Sequence, residues 1–517
     1  MERSTYWLCF ALVLALAAFN LFWSLGSVPV SDWDEARHGV TAYEMLRSGN
    51  WVVSTYAERP DYWNLKPPIG HWMTASSFSA FGYTNFSLRF FSALLSWLTV
   101  ILTMLIADRV SGKAAALLSG LVLATLYGFV LVHSGRAGDY DAAFTFFAIL
   151  SFYLVIRGSD HPLFFCLAGL PAALAFLTKS FAVIAVIAVI GLFVLLGRKQ
   201  SRLLFRHYLG FAFLFLLPLF AWGIARYHHD GLLFLKAMVW YDLIRRSSQG
   251  VEGNVGNHFF YIETFVEGTA WWLYSSGGLL LLLLMPRIAP VKDQPKINEH
   301  TAYPLLLVLI WLILPMILFS VAKTKLPWYI NLVYPAAAIF CAFSIQAVFS
   351  SNSFHRGTWN SLRKGIVVLV CLAASVGAEL QIIKAVAKQV RTTDKAQEVL
   401  LKLPAGPQPE QRTLFLACEP RQSLIMIAAA QKHLILDTLT GPEFDEAVRE
   451  TPEWNLVAVE MKVRERLALG KERLLTHGRP GDLIMLSNTE ENRQYLETYR
   501  LSAVAMNEAW LIAEKRG

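Results

Sequence analysis

The chain has 517 residues, of which 55% are apolar and only 16% charged, with a formal charge of +8; a soluble chain would carry about a quarter charged residues. A mean hydropathy of +0.44 and the lack of a dense basic stripe argue against a soluble or nucleic-acid-binding protein and for a membrane protein. Cys9, Cys166, Cys341 and Cys371 fall in apolar runs and Cys418 stands alone, so neither a disulfide framework nor a structural zinc site is expected.

The first apolar run, 6–26, is longer than the core of a signal peptide and is followed by further runs, so it reads as a retained helix. Similar runs follow at 86–107, 114–132, 142–156, 162–177, 180–197, 207–225, 270–286, 302–322, 327–349 and 365–385. Each approaches the roughly 20 residues that a helix needs to cross a bilayer core. In lipid the backbone must satisfy its own hydrogen bonds, which makes these runs helices rather than strands. Sixteen Trp and eighteen Tyr suit the interfacial belts of such a protein.

The expected fold class is therefore a polytopic α-helical membrane protein, with about eleven to thirteen transmembrane helices over 1–385. A small soluble α/β domain follows over 386–517, where strand-like runs at 412–418, 433–437, 455–459, 482–487 and 509–514 alternate with helical stretches at 420–431 and 461–475. It carries no Gly-rich phosphate fingerprint, so a recognition or structural role is expected for it. Lys and Arg are nearly balanced across the membrane. The inner positives sit in compact loops, such as Arg198, Lys199, Arg202 and Arg206. The outer ones lie in long loops, 27–85 and 226–269, where the positive-inside rule has less force. A cytoplasmic N-terminus follows, with both long loops and the tail outside.

The first outer loop opens Ser31-Asp32-Trp33-Asp34-Glu35-Ala36-Arg37-His38. Crowded carboxylates raise one another's pKa, which suits a general base, although a solvated interfacial loop would also carry them. Arg37 shares a face with Asp34 if the segment is helical. Lys66-Pro67-Pro68 fixes a Lys in an extended kink, placed to bind phosphate or merely to snorkel. The turn Arg136-Ala-Gly-Asp139-Tyr-Asp141 precedes an apolar helix, where either acid could act chemically or only cap the helix. Lys179 separates two apolar runs, and Lys323-Thr-Lys325 forms a basic turn on the outer side, favouring an anionic ligand. Asp242, Arg245, Arg246 and His258 add charge in the second long loop, and His258 is the single, weak metal-ligand candidate.

In this order the motifs resemble the GT-C superfamily of polyprenyl-phosphate-sugar glycosyltransferases, in particular bacterial aminoarabinose transferases and protein O-mannosyltransferases. The resemblance runs over residues 6–350 and rests on Asp34-Glu35-x-Arg37, Lys66-Pro67-Pro68-x-Gly70-x-Trp72, Arg136 with Asp139/Asp141, Leu177-Thr178-Lys179 and Lys323-x-Lys325-Leu326-Pro327. It implies a GT-C fold and a site facing the periplasm of a bacterial inner membrane. Asp34 would be the catalytic carboxylate, Asp141 or Asp139 the second acid, and Glu35 a further acidic candidate. Arg37, Lys66, Arg245, Arg246, His258, Lys323 and Lys325 would hold the donor phosphate. The implied partners are a polyprenyl-phosphate-linked sugar and a lipid, glycan or protein acceptor. Where aminoarabinose transferases carry Glu-Lys-Pro-Pro this chain has Leu65, and where they often carry Tyr it has His38. A divalent metal therefore stays an open cofactor assignment. The rival reading is a transporter or flippase for an anionic lipid, but such proteins place their key charges near the bilayer midplane.

Overall fold

The computed structural model describes residues 2–197, 203–284, 299–350, 357–403, 412–417, 422–432, 434–437 and 469–516, with a few isolated positions between 446 and 465. Arg198, Lys199, Arg202, Cys418, most of the predicted strand 455–459 and the first half of the predicted helix 461–475 lie outside the described residues. The chain divides into two compact units. One, the helical unit, comprises Met1–Trp23, Ser92–Ala221 and Arg245–Ala387. The other, the sheet-bearing unit, comprises Ser24–Phe91, Trp222–Ile244 and Lys388–Gly517. The loop between the first two apolar runs thus shares a unit with the C-terminal tail.

Each apolar run predicted as a span is, among the described residues, helical over most of its length. Among the described residues, seven helical segments are long and apolar enough to cross a membrane: Arg3–Phe22, Asn85–Ser111, Pro162–Leu196, Phe205–Asp230, Ala302–Val321, Pro327–Ala347 and Lys364–Arg391. The others are shorter or more polar. Helix Asp141–Arg157 has 17 residues, the run at 114–132 breaks into Lys113–Ala124 and Tyr127–Leu131, and Phe260–Leu284 begins with Glu263 in its first turn. The two runs between 162 and 196 are separated at Ser180, whose φ of +44° turns the chain sharply after Lys179. Small residues let helices approach where apolar burial gives no drive within lipid. At Gly169 a Cβ would lie 2.2 Å from the Phe211 carbonyl oxygen, so only glycine permits that crossing. Trp272 donates to Thr125 at 2.9 Å, satisfying a buried indole N–H in the same interior.

The sheet-bearing unit is built on five strands in the order Ile435–Leu436, Thr413–Leu416, Leu483–Ser487, Trp510–Lys515, Leu501–Met506. The first three are parallel and the last two pair antiparallel. Strand Leu501–Met506 and helix Glu490–Thr498 were not anticipated from sequence. Side chains alternate across the sheet with the pleat. Leu483, Met485 and Ile512 enter a core shared with Val30, Ala36 and Val40 of the 27–85 loop, whereas Ile484, Leu486, Leu511 and Ala513 enter a second core. Polar bonds reinforce the first junction. Val30 exchanges both backbone groups with the Gln397 side chain, at 3.2 and 2.8 Å, and Asp32 accepts from the Ser423 backbone N–H at 2.9 Å.

Candidate active site

In the sheet-bearing unit the acidic cluster lies at the start of helix Asp34–Ser48, with Asp34 and Glu35 in its first turn. The helix N-terminus carries orphan amides and a partial positive charge, which stabilise an ionised carboxylate there. The three acids have different surroundings. Asp32 accepts from Ser423. Glu35 is 2% exposed, and its two oxygens take Nε and Nη2 of Arg89 at 2.6 and 2.8 Å. Arg89 also donates to the carbonyls of Leu25, Val28 and Pro29, so the pair ties the helix start to the loop that delivers it. A catalytic role for Glu35, expected from sequence, meets a carboxylate already committed to a buried ion pair. Asp34 stays half-buried.

Arg37 does follow Asp34 on the helix, but its guanidinium is turned to Asp61 rather than presented as an open cation. It donates to both Asp61 oxygens at 2.9 and 2.8 Å and lies 3.9 Å over the Tyr56 ring. Burial would raise the Asp61 carboxyl, but Arg37 and the Trp63 and Asn64 amides hold it below the usual carboxylate range. Those amides lead to Lys66, which is half-buried and enters no ion pair among the described residues. His38 and His71 are both buried, with ring centroids 5.8 Å apart; burial, then His38 and Lys66, hold His71 well below its usual range. Sequence reasoning missed a further ion pair here. Arg226 grips Asp230 at 2.5 Å, and Asp230 accepts from the Tyr62 hydroxyl at 3.5 Å. Arg226 closes a long apolar helix, and that position was the available signal.

The helical unit carries the remaining candidates. Asp139 is buried and its Oδ2 lies 2.9 Å from His133 Nδ1; the His133 ring stacks on Trp328 at 3.6 Å. Asp141 opens helix Asp141–Arg157, yet its side chain bonds Lys179 instead of capping the helix amides. Lys179 in turn sits 5.5 Å over the Tyr329 ring. Arg136 donates to the carbonyls of Asn20, Leu21 and Trp23, which end the first helix.

The basic turn at 323–325 joins the segment bearing Arg246. The Lys323 and Thr324 amides donate to the Ser247 and Arg246 carbonyls, both at 3.1 Å. The two lysines then part company. Lys323 is exposed, whereas Lys325 is 7% exposed and donates to the Ser320 and Ala322 carbonyls at 2.8 and 3.1 Å. Burial, then the charge of Lys323, lowers the Lys325 pKa. Arg245 and Arg246 are half-buried, and Arg246 reaches the Tyr329 hydroxyl at 3.4 Å. His258 is exposed and belongs to no group of three potential metal ligands among the described residues. Leu65 offers no ligand either, so these positions do not form a metal site and no chemical step is assigned to a metal.

Residues 65–224 match the family described as dolichyl-phosphate-mannose-protein mannosyltransferase. An uncharacterised protein of Aquifex aeolicus is 30% identical over 337 residues, covering 64% of this chain and 63% of that protein. An undecaprenyl phosphate-alpha-4-amino-4-deoxy-L-arabinose arabinosyl transferase of Pseudomonas aeruginosa (strain UCBPP-PA14) is 28% identical over 378 residues, 70% of this chain and 64% of its own length. The chain thus spans just under two thirds of the length of such relatives. The whole architecture is similar to the crystal structure of ArnT from Cupriavidus metallidurans bound to undecaprenyl phosphate, with a TM-score of 0.68 over 98% of both chains at 18% identity. The Archaeoglobus fulgidus oligosaccharyltransferase shares it less closely, at a TM-score of 0.55 over 94% of this chain and 70% of that one, with 12% identity. The chain has the GT-C type of fold and resembles the polyprenyl-phosphate-sugar glycosyltransferases in sequence.

Proposed function

We propose that this polytopic membrane protein is an inverting glycosyltransferase, moving a sugar from a polyprenyl-phosphate donor to an envelope acceptor at the outer face of a bacterial inner membrane. The observation that carries this reading is the division of labour in the acidic cluster. Asp32 and Glu35 hold structure, while Asp34 stays partly accessible in the first turn of a helix. The names of the aminoarabinose transferases, and the undecaprenyl phosphate in the similar structure, support the donor class.

Asp34, in the first turn of its helix, is placed to take or orient a proton. The acceptor nucleophile attacks the anomeric carbon, its proton passes to Asp34, and the bond from that carbon to the phosphate oxygen breaks with inversion. The phosphate departs with the electron pair, and a cation that neutralises it lowers the barrier without a general acid. Lys66 is assigned to that task. Exposed Lys323, with Arg245 and Arg246, is assigned to the anionic headgroup of a lipid substrate. Arg37 and Lys325 position their segments instead of binding phosphate, and Asp139 and Asp141 act as acids held by His133 and Lys179. The N-terminus lies in the cytoplasm, with the catalytic loops and the sheet on the periplasmic side.

Mass spectrometry of envelope glycolipids from a deletion strain tests the assignment. Loss of a pentose- or hexose-sized increment is the expected result. An unchanged set of glycolipids and glycoproteins, with a lipid redistributed between leaflets, would support the flippase instead.

A further inference from the structure

Trp328 and Tyr329 are consecutive residues at the start of the short helix Pro327–Val333, and each meets the partner of one acid in the helical unit. The Trp328 indole lies face to face with the His133 imidazole, ring centroids 3.6 Å apart and planes within 13°. His133 Nδ1 is in turn 2.9 Å from Asp139 Oδ2. Tyr329 carries Lys179 over its ring, and Lys179 is bonded to Asp141. The helix itself is firmly seated. Ile330, Asn331, Leu332 and Val333 are buried, and Trp311 Nε1 donates to the Leu332 carbonyl at 2.7 Å. Asn331 Nδ2 donates to the Val132 carbonyl at 2.9 Å and reaches that of His133 at 3.5 Å. His133 has φ +47°, a region that residues other than glycine seldom enter and keep only where their surroundings over-determine it. Those surroundings are Asn331 on the His133 backbone and Trp328 on its ring.

The side chain of His133 is 32% exposed, and an imidazole so placed turns broadly about its outer side-chain bond unless its plane is fixed. The indole fixes it. At 3.6 Å the two rings are in van der Waals contact across their faces, so tilting the imidazole would drive it into the indole or lift it away. Two orientations related by a half-turn keep the stack, and the Asp139 carboxylate beside Nδ1 selects one of them. The Asp139 backbone is held independently, because Ser92 Oγ donates to its carbonyl at 2.9 Å. The direction of the carboxylate is then set by His133. We infer that Trp328 is a positioning residue: through its face contact with His133 it fixes the orientation of the Asp139 carboxylate, with Asn331 holding the His133 backbone in support. The inference rests on the part given to Asp139 in the transfer reaction proposed above.

The test uses the full-length protein in nanodiscs, with an undecaprenyl-phosphate-linked sugar as donor and the acceptor identified by the deletion-strain comparison. Trp328→Leu keeps an apolar side chain but removes the flat face, whereas Trp328→Phe keeps a face. Trp328→Leu should lower kcat by about 10–10²-fold, the loss that a small misplacement of a reacting group produces, and leave KM for the donor unchanged. Trp328→Phe should recover most of the rate, which packing of apolar volume alone would not require. Asn331→Ala should lower kcat in the same sense, a second route to the answer if Trp328→Leu does not fold. His133→Gln should be as slow as His133→Gln combined with Trp328→Leu, because Trp328 acts only through the imidazole. NMR of isotope-labelled histidine reads the contact itself. The His133 Cε1–H signal, assigned by its loss in His133→Gln, should lie upfield in wild type from the ring current of the indole and move downfield in Trp328→Leu. Melting temperatures matching wild type establish that the variants are folded. A wild-type kcat in folded Trp328→Leu or Asn331→Ala, additive losses in the double variant, or a His133 signal unmoved by Trp328→Leu would overturn the inference. Wild-type transfer by a folded Asp139→Asn protein would instead defeat the role of Asp139 on which it rests.

Discussion

Arg37 and Asp61 meet through two parallel hydrogen bonds, Nε to Oδ2 at 2.9 Å and Nη2 to Oδ1 at 2.8 Å, both side chains buried. The pair fastens the helix bearing Asp34 to the segment leading to Lys66. Breaking such a pair by removing one partner leaves an uncompensated buried charge and costs about 3–5 kcal/mol. Asp61→Asn should therefore lower the melting temperature of the purified protein. Arg37→Lys should not restore wild-type behaviour, because an ammonium cannot supply the two-pronged contact. Because Asp61 is held below its usual range, its contribution is present at neutral pH and lost only as pH falls through that depressed value. A thermal-shift series down the acid range compares wild type with the variant; identical curves would contradict the assignment.

The three acids of the cluster should separate by assay. Asp34→Asn should keep the wild-type melting temperature and lose transfer. Glu35→Gln should weaken the Arg89 contacts and lower the melting temperature. Asp32→Asn should have a small effect on both, because an amide oxygen can still accept from Ser423. Parallel melting and transfer measurements check this, and a Glu35→Gln protein as stable as wild type would refute the structural role.

These contrasts mark what the sequence could reveal. The helices were legible because lipid demands long apolar runs, and Asp34 was legible because charge is costly beside a membrane helix. The partners of Glu35 and Arg37 lie 54 and 24 residues away, so no periodicity announces them. Lys323 and Lys325 look equivalent in sequence, and only the end of helix Glu299–Val321 distinguishes them. Strand Leu501–Met506 was hidden because much of it is solvent-exposed and its pairing is broken by an irregularity between Ala503 and Ala505. Its short apolar side chains give little alternation.

Glu44 offers a pH-dependent test of the same helix. It is buried, and burial first, then the charge of Glu58, push its carboxyl up to about 8. The folded chain thus keeps a proton that the unfolded chain releases above the ordinary value of 4.5. Stability should fall as pH rises between those values. Glu44→Gln stays neutral throughout, so relative to wild type it should melt higher near pH 8 than near pH 5. The same offset at both pH values would exclude this role for Glu44.

The two lysines of the basic turn should behave differently. Lys325→Met removes a cation from helix-terminal carbonyls and should cost about 0.3–1 kcal/mol, or up to ~2 in so buried a setting. Lys323→Met should leave stability unchanged and raise KM for the lipid-linked donor. Melting curves and donor titrations distinguish them; a stability loss confined to Lys323→Met would reverse the roles.

The most direct measurement is sugar transfer by purified wild type and Asp34→Asn from an undecaprenyl-phosphate-linked sugar to the envelope acceptor identified by the deletion-strain comparison. Removing a general base should lower kcat by about 10²–10⁴-fold, with donor binding and melting temperature preserved. A folded Asp34→Asn protein that transfers sugar at the wild-type rate would contradict the account.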